Sequence, residues 1–529
     1  MSAIAADVPA RPDELFGHPK GLYVCFFTEM WERFSFYGMK ALLLLYLTKY
    51  HLFSDDFGYN LIGAYGGLVY AMPVIGGLMA DRWLGMRKAV VFGGVLLVLG
   101  HLGMAIEGTP ATSVNGVVTR DAGALQIFYF SLALIIMGVG FLKPNISTIV
   151  GKLYPENDPR RDAGFSLFYA GINIGATVSG LLCGWLGEAY GWGWGFGAAG
   201  IGMLAGLANF IYGQKYLEGH AEPRDPAMLR ARIFGPLTRE HLIYLGAIAG
   251  LAVIWLLIQM HSVFLKFIPG VFEPSPVVLG MHLVTACLLG GIFWFMFTKC
   301  TKVQRDQMFV VLLFIVFCLI FFTLYEQTYG SWVLFSDRVM NHHALGVEWN
   351  ASELTSLGAF FILVLAPIFA WLYPRLDRRG LNPSKPAKSG YGLILAGAAF
   401  LVLVWSSRHP DANGLTNIWW FVFAYFVLET GEMLLSPIGL SAVSQLSVPS
   451  VVSLMMGGWF LGTSYSEVLA AQLGKLSSIE IPEGETLNIV DALAKYDQLF
   501  VFSAEIGIGC GIVVLVCTPL IKRWMHGVR

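Results

Sequence analysis

Charged side chains interrupt the first long apolar stretch of the chain, residues 21–50. Glu29, Glu32, Arg33, Tyr37 and Lys40 occupy positions i, i+3, i+4, i+8 and i+11, which share one face of an α-helix. Two carboxyls beside one guanidinium can share a proton, because the like charges repel each other while the cation stabilises the ionised form. This spacing predicts a proton-handling cluster on a helix face that lines a polar cavity. The alternative is a static ion pair that joins two helices.

Charged groups also occur in later apolar stretches, and their signs are unevenly distributed. Lys143 lies in the fourth stretch, whereas Glu326, Glu429 and Glu432 lie in the second half of the chain. Because a charge near the centre of a bilayer costs about 2.5–3.5 kcal/mol, such residues are usually paired and serve function. A ligand with a carboxylate at one end and an amine at the other would match this polarity across a central cavity.

The composition excludes a soluble protein. Hydrophobic types make up 56% of the 529 residues and charged types 13%, against about 25% charged residues in soluble domains. The net charge of −1 provides no field that would attract nucleic acid. The seven cysteines form no CxxC or Cys/His cluster, so neither a metal site nor a disulfide framework is expected. We also predict no catalytic residues and no enzyme activity, because no nucleophile with a base and no ligand cluster is visible.

The elements that position these charges are membrane helices, each of which needs about 20 mainly apolar residues. The sequence therefore predicts an all-α membrane protein with fourteen spans, one pair more than a twelve-helix design. The spans are 21–50, 58–81, 88–108, 124–150, 163–187, 193–213, 241–263, 276–298, 307–335, 353–374, 390–406, 416–446, 450–472 and 498–521.

Lys and Arg residues concentrate in alternate loops, such as 82–88, 152–161 and 375–388. Because basic loops tend to stay on the cytoplasmic side, both termini are predicted to be cytoplasmic. The longest basic connection divides the chain as the linker of a two-halved carrier would. The predicted organisation is a cytoplasmic tail at 1–20, a six-helix bundle at 21–213, a linker at 214–240, two extra helices at 241–298 and a second six-helix bundle at 306–524.

Five segments carry a family resemblance. Residues 29–38, EMWERFSFYG, resemble the ExxERFxYYG motif of the proton-dependent oligopeptide transporter family, which is part of the major facilitator superfamily. Residues 76–88, GGLMADRWLGMRK, resemble the superfamily's motif between helices two and three, and FYAGINIGA at 168–176 is similar to the family's helix-five signature. GVGFLKPN at 138–145 and GEMLLSPIGL at 431–440 add two further similarities.

The resemblance implies a carrier of two six-helix bundles, with the two additional helices that bacterial members insert between them. It implies inward transport of di- and tripeptides together with protons, by alternating access. The implied location is the bacterial inner membrane, the implied coupling ion is the proton, and the expected functional unit is a monomer in the lipid bilayer. No cofactor and no nucleic-acid partner are expected.

The resemblance also implies roles for individual residues. Proton coupling is expected at Glu29, Glu32 and Arg33, and at an ion pair of Lys143 with Glu326. Peptide binding is expected at a larger set: Arg33, Tyr37, Tyr70, Lys143, Asn173, Glu432, Ser436 and Trp459. An outer gate is expected between Lys40 and Asp337, and an inner gate at Asp81, Arg82, Arg87 and Lys88. Ordinary packing between helices remains the alternative for the pocket aromatics and for Lys40 with Asp337.

Some positions depart from the family pattern. Phe36 replaces the first tyrosine of the helix-one motif, and Gly358-Ala359 replaces an Asn-Pro pair of helix eight that commonly contacts the peptide terminus. Animal members of the family carry a histidine for protons on helix two, and this chain has none there, so the resemblance implies that carboxylates handle the protons. The altered helix eight leaves open a cargo of nitrate or other small anions and metabolites. Glu467 and Glu505, which also lie in apolar stretches, receive no predicted role.

Overall fold

The computed structural model describes residues 14–155, 158–217, 219–268, 273–481 and 486–528. Most of the predicted N-terminal tail, 1–13, lies outside the described residues. The described chain is mostly helical, as the apolar periodicity predicts. The first half consists of α1 Lys20–Leu45, α2 Asp55–Met79, α3 Met86–Met104, α4 Ala122–Lys152, α5 Arg161–Tyr190 and α6 Trp192–Gly213. π-helical turns at Tyr46–Tyr50 and Ala80–Leu84 extend α1 and α2.

A connection with a short helix, α7 Pro226–Arg230, leads to two long helices, α8 Arg239–Gln259 and α9 Pro276–Thr298. The second half consists of α10 Lys302–Tyr325, α11 Ser331–Val339, α12 Ser356–Arg378, α13 Lys385–Arg408, α14 Ile418–Leu446, α15 Val452–Gly474 and α16 Ile489–Trp524. Short 3-10 turns occur at Gln214–Tyr216, Glu326–Tyr329, Glu353–Thr355, Pro449–Val451 and Lys475–Ser477.

Strands are confined to loops and pair two at a time. Antiparallel pairs form between β1 Glu14–Leu15 and β2 His18–Pro19, β3 Thr112–Val114 and β4 Val117–Thr119, β5 Arg232–Phe234 and β6 Leu237–Thr238, and β8 His343–Ala344 and β9 Val347–Glu348. A parallel pair forms between β7 Met340–Asn341 and β10 Thr416–Asn417.

Twelve helical segments within the described residues are long and apolar enough to cross a membrane. That set leaves out α1 and α15, which are 26 and 23 residues long and carry the charged cluster and Glu467 respectively. The predicted count of fourteen spans, and with it the predicted domain boundaries, therefore stays a prediction.

Close approaches between glycines bring the helices of each half together. A Cβ atom on Gly76 of α2 would lie 2.1 Å from the carbonyl oxygen of Gly140 in α4. That carbonyl is four residues before Pro144, which has no N–H to bond it, so the helix can be approached there. In the second half, a Cβ on Gly507 of α16 would lie 2.7 Å from the backbone of Gly397 in α13.

The two halves meet through α2 with α15 and through α5 with α12. Each of the two additional helices contacts a different half: α8 packs on α4 of the first half, and α9 packs on α15 of the second. At the end predicted to face outward, Arg338 of α11 forms a bidentate ion pair with Asp55 of α2, with both distances 2.7 Å. Lys49 Nζ lies 2.7 Å from Asp337 Oδ1 at the same end. Ion pairs therefore close the predicted outer end.

Candidate functional site: a charged cavity between the halves

A cavity of about 220 Å³ lies where the two halves face each other. Its lining includes most of the residues that the sequence predicts to bind peptide, namely Tyr37, Tyr70 and Asn173 from the first half and Glu432, Ser436 and Trp459 from the second. Glu326 also lines it. Three further tyrosines line the cavity without a predicted role, Tyr169, Tyr325 and Tyr329; of these only Tyr169 carried a sequence signal, as part of the helix-five motif.

The Arg33 cluster on α1 is fully assembled and buried. The guanidinium donates to both Glu32 oxygens, with 2.8 Å between Nη2 and Oε1, and its Nε lies 3.2 Å from Glu29 Oε1. The other Glu29 oxygen has no hydrogen-bond partner within the described residues. Phe36 places its ring centroid 5.3 Å from the guanidinium carbon, so the residue that replaces the motif tyrosine offers a cation–π contact instead of a hydroxyl.

Lys40 binds two carboxylates of the second half. Its Nζ lies 2.7 Å from Glu326 Oε2 and 2.8 Å from Glu467 Oε1. The predicted partner Asp337 binds Lys49 instead, so the predicted ion pair of Lys40 with Asp337 is wrong in this structure. The two lysines are nine positions apart, which is about 13 Å along a helix, and Asp337 lies at the height of Lys49.

The predicted ion pair of Lys143 with Glu326 is also wrong in this structure, because Lys40 occupies the Glu326 carboxylate. Lys143 instead places its Nζ 4.6 Å from the ring centroid of Tyr70, which lines the cavity. Lys143 therefore remains beside the cavity, with its amino group over the Tyr70 ring.

A helix break positions Glu326. The predicted single span 307–335 is interrupted, because α10 ends at Tyr325 and a 3-10 turn, Glu326–Tyr329, follows. The Gln327 amide donates to the carbonyl oxygen of Ala470 in α15 at 2.7 Å, and its own oxygen accepts from the Ser331 hydroxyl at 2.7 Å. These bonds stabilise the turn and direct Glu326 towards Lys40.

The four residues predicted as an inner gate divide into two groups. Arg87 binds the connection after α6, with its Nε 2.5 Å from Glu222 Oε1, and Lys88 Nζ lies 2.6 Å from Glu240 at the start of α8. Asp81 and Arg82 have exposed side chains. Arg87 and Lys88 therefore hold the connection against the first half, and a gating role for the four residues stays a prediction.

Carboxyls outnumber cations in and beside the cavity. The cations are Arg33, Lys40 and Lys143, whereas the acids are Glu29, Glu32, Glu326, Glu429, Glu432 and Glu467. Ionised carboxylates without a cation are strongly unfavourable when buried. The site is therefore suited to bind protons and an amine.

The position of Glu429 explains why a glycine, Gly358, replaces the asparagine of the family pattern in helix eight. Glu429 of α14 is fully buried, and neither of its oxygens has a hydrogen-bond partner within the described residues. A Cβ on Gly358 of α12 would lie 2.8 Å from Glu429 Oε1 and 3.5 Å from the Tyr325 hydroxyl. The absent side chain at 358 thus provides the space that the Glu429 carboxyl occupies, next to the cavity.

Replacing Gly358 by Ala is expected to destabilise the protein by about 1–3 kcal/mol, because the new methyl group overlaps the confined Glu429 carboxyl. The double variant Gly358→Ala/Glu429→Ala should recover part of that loss. The matched control is Gly290→Ala on α9, where a Cβ would meet nothing within 4 Å. Thermal unfolding of the purified protein measures the effect, and equal midpoints for Gly358→Ala and Gly290→Ala would contradict the steric explanation.

Taken with the fold, this site defines a major facilitator carrier of peptide-transporter type. The sequence model of the POT family matches residues 87–483. The chain is 33% identical over 479 residues to the peptide transporter YePEPT of Yersinia enterocolitica, covering 87% of this chain and 88% of that protein. It is 29% identical over 508 residues to dipeptide and tripeptide permease A of Chromobacterium violaceum, covering 96% and 94%.

The structure agrees with the sequence comparison. It superposes on the crystal structure of the peptide transporter POT in complex with sulfate with a TM-score of 0.76 and 32% identity, covering 99% of both chains. The chain belongs to the POT family, whose members are transporters and not enzymes.

Proposed function

We propose that the protein is a proton-coupled symporter that imports di- and tripeptides by alternating access. The observation that carries the proposal is the cavity between the halves, which is lined by Tyr37 and Tyr70 of the first half and by Glu432 of the second. Arg33 and Lys143 lie directly behind those two tyrosines, against the rings of Tyr37 and Tyr70 respectively. A zwitterionic peptide would place its carboxylate near the two cations and its ammonium at Glu432. The excess of carboxyls supports protons as the coupling ion and disfavours nitrate or another small anion as the cargo.

The transport cycle follows from competition for Arg33. A proton that reaches Glu32 or Glu29 neutralises a carboxylate and frees the guanidinium for the peptide carboxylate. Once these charges are neutralised, the two halves can change from one conformation to the other around the bound peptide. Coupling requires that the proton and the peptide bias the same two conformations. Each positive charge that crosses 100 mV supplies about 2.3 kcal/mol, which is enough to concentrate peptide tens-fold.

The proposal includes the setting of the protein. It places the chain in the bacterial inner membrane with both termini in the cytoplasm, in accordance with the distribution of basic loops. It takes the monomer as the transporting unit, since one chain supplies both halves that line the cavity.

Uptake of a labelled dipeptide into proteoliposomes with an imposed inward proton gradient tests the substrate class. Unlabelled di- and tripeptides should compete, whereas free amino acids and tetrapeptides should compete weakly and nitrate not at all. Competition by nitrate without competition by peptides would contradict the proposal.

A further inference from the structure

Glu467 is a buried acid that the transport cycle described above does not use. Its side chain is 2% exposed, and its Oε1 lies 2.8 Å from Lys40 Nζ. Lys40 belongs to α1 of the first half, whereas Glu467 belongs to α15 of the second. With Glu326, whose Oε2 lies 2.7 Å from the same Nζ, they form a three-residue cluster that we call the Lys40 triad.

The Glu467 side chain lies directly in the contact between the halves. A Cβ on Gly66 of α2 would lie 2.5 Å from the carboxyl carbon and from Oε2 of Glu467. One turn away, the Ser464 hydroxyl donates to the carbonyl oxygen of Gly67. Because the glycine admits the carboxyl against the α2 backbone, Glu467 can hold this position only while α2 and α15 are closed together.

The triad carries one cation and two carboxyls. The other titratable side chains that interact with it are Tyr37 of α1, Tyr65 and Tyr70 of α2, Lys143 of α4, Glu432 of α14, and Tyr329, whose ring centroid lies 4.9 Å from Lys40 Nζ. The tyrosines supply no positive charge, and Arg33 is bound to Glu29 and Glu32. The additional basic group, Lys143, is offset by the additional acid, Glu432. With both carboxyls ionised, the closed arrangement would bury an uncompensated negative charge, which is strongly unfavourable.

We propose that Glu467 is a proton-binding residue that makes closure of the predicted outer end depend on one proton shared with Glu326. This inference rests on the proposed proton-coupled function. With the outer end open, a proton from the outer solution binds to Glu467 or Glu326. The halves then close around a triad whose net charge is zero.

Release of the proton follows from the position of Glu326. Glu326 lines the cavity, so the shared proton can leave through it once the other end opens. The triad is then left with an uncompensated carboxylate, which favours reopening of the outer end and return of the empty carrier. Glu467 thus acts through Lys40 and Glu326, while Glu326 exchanges the proton with the cavity.

The Glu467→Gln variant is expected to close its outer end without binding a proton, because Lys40 then faces only the Glu326 carboxylate. The proton-to-peptide ratio, obtained from the reversal potential of dipeptide flux in proteoliposomes, should fall by about one, while counterflow of dipeptide stays within about threefold of wild type. Glu467→Asp should restore the wild-type ratio at a lower rate. The matched control is Glu505→Gln, a change of an exposed acid in the middle of α16, which should leave the ratio unchanged.

A second readout covers the case in which the variant transports poorly. Spin labels at positions 115 and 345, in exposed hairpins of the first and second half, report the separation of the halves at the predicted outer end. Acid should shift wild type towards the short distance, and this pH dependence should be lost in Glu467→Gln. An unchanged ratio and an unchanged pH dependence in Glu467→Gln would overturn the inference. Peptide flux without proton flux in wild type would instead overturn the proposed function.

Discussion

Replacing Glu32 by Gln should abolish uphill accumulation of dipeptide while leaving counterflow intact. The Arg33 guanidinium is held by both Glu32 oxygens, so a proton on Glu32 is the event that frees it for substrate. Gln cannot gain or lose that proton, so the proton gradient cannot drive transport through this position. At about 2.3 kcal/mol per charge and 100 mV, the loss corresponds to a fall in accumulation from roughly fifty-fold to none.

Uptake of labelled dipeptide into proteoliposomes at a fixed membrane potential measures this effect. Counterflow, in which internal unlabelled peptide exchanges for external labelled peptide, serves as the test of folding and binding, because exchange requires no net proton movement. Glu505→Gln is the matched control, since it removes an exposed acid from another membrane helix. Accumulation against a gradient by Glu32→Gln would exclude Glu32 as a coupling residue.

Replacing Lys40 by Gln should destabilise the protein by about 3–5 kcal/mol and abolish transport. The change removes the cation between Glu326 and Glu467, and breaking a buried pair leaves an uncompensated charge. Lys49→Gln is the matched control, because Lys49 Nζ lies at the same 2.7 Å from Asp337 but its side chain is 46% exposed. Exposed pairs contribute about 0–1 kcal/mol, so this variant should remain near wild type.

Thermal unfolding of the purified variants separates the effect of an uncompensated charge from the effect of lost packing. In the triple variant Lys40→Gln/Glu326→Gln/Glu467→Gln, no uncompensated charge remains, so stability should return towards wild type while proton-driven uptake stays lost. If Lys40→Gln unfolds at the same temperature as Lys49→Gln, the Lys40 triad does not stabilise the closed outer end.

Sequence periodicity was sufficient for the face of α1, whereas the predicted cavity lining came from the family resemblance. Glu29, Glu32, Arg33 and Lys40 lie together because helical spacing alone determines which residues share a face. Intervals within one helix are independent of tertiary packing, which is why this part of the prediction is confirmed by the geometry. The carriage of protons by these residues stays a prediction.

Pairing between helices could not be predicted in the same way. The partner of Lys40 depends on the height at which α10 breaks, and that break at Glu326–Tyr329 is stabilised by a side-chain bond of Gln327 to α15. Nothing in the local sequence around 307–335 indicates such a distant contact. The ion pair of Asp55 with Arg338 was missed for a similar reason, because both residues lie at the edges of predicted spans and their approach depends on how the halves meet.

The reason for Gly358 could not be predicted from the sequence either. The sequence indicated a departure from the family pattern, but the acid that fills the vacated space lies 71 residues later, on α14. A single sequence cannot reveal that a glycine on one helix and a glutamate on another compensate each other. Their contact requires the packing of α12 on α14.

In a proton-coupled symporter, peptide and proton cross the membrane together. Simultaneous recording of internal pH and labelled dipeptide in proteoliposomes tests it most directly. We predict internal acidification that begins only when external dipeptide is added, and peptide uptake that stops when a protonophore removes the proton gradient and the potential. Peptide accumulation without acidification, or accumulation that persists with the protonophore, would contradict the account.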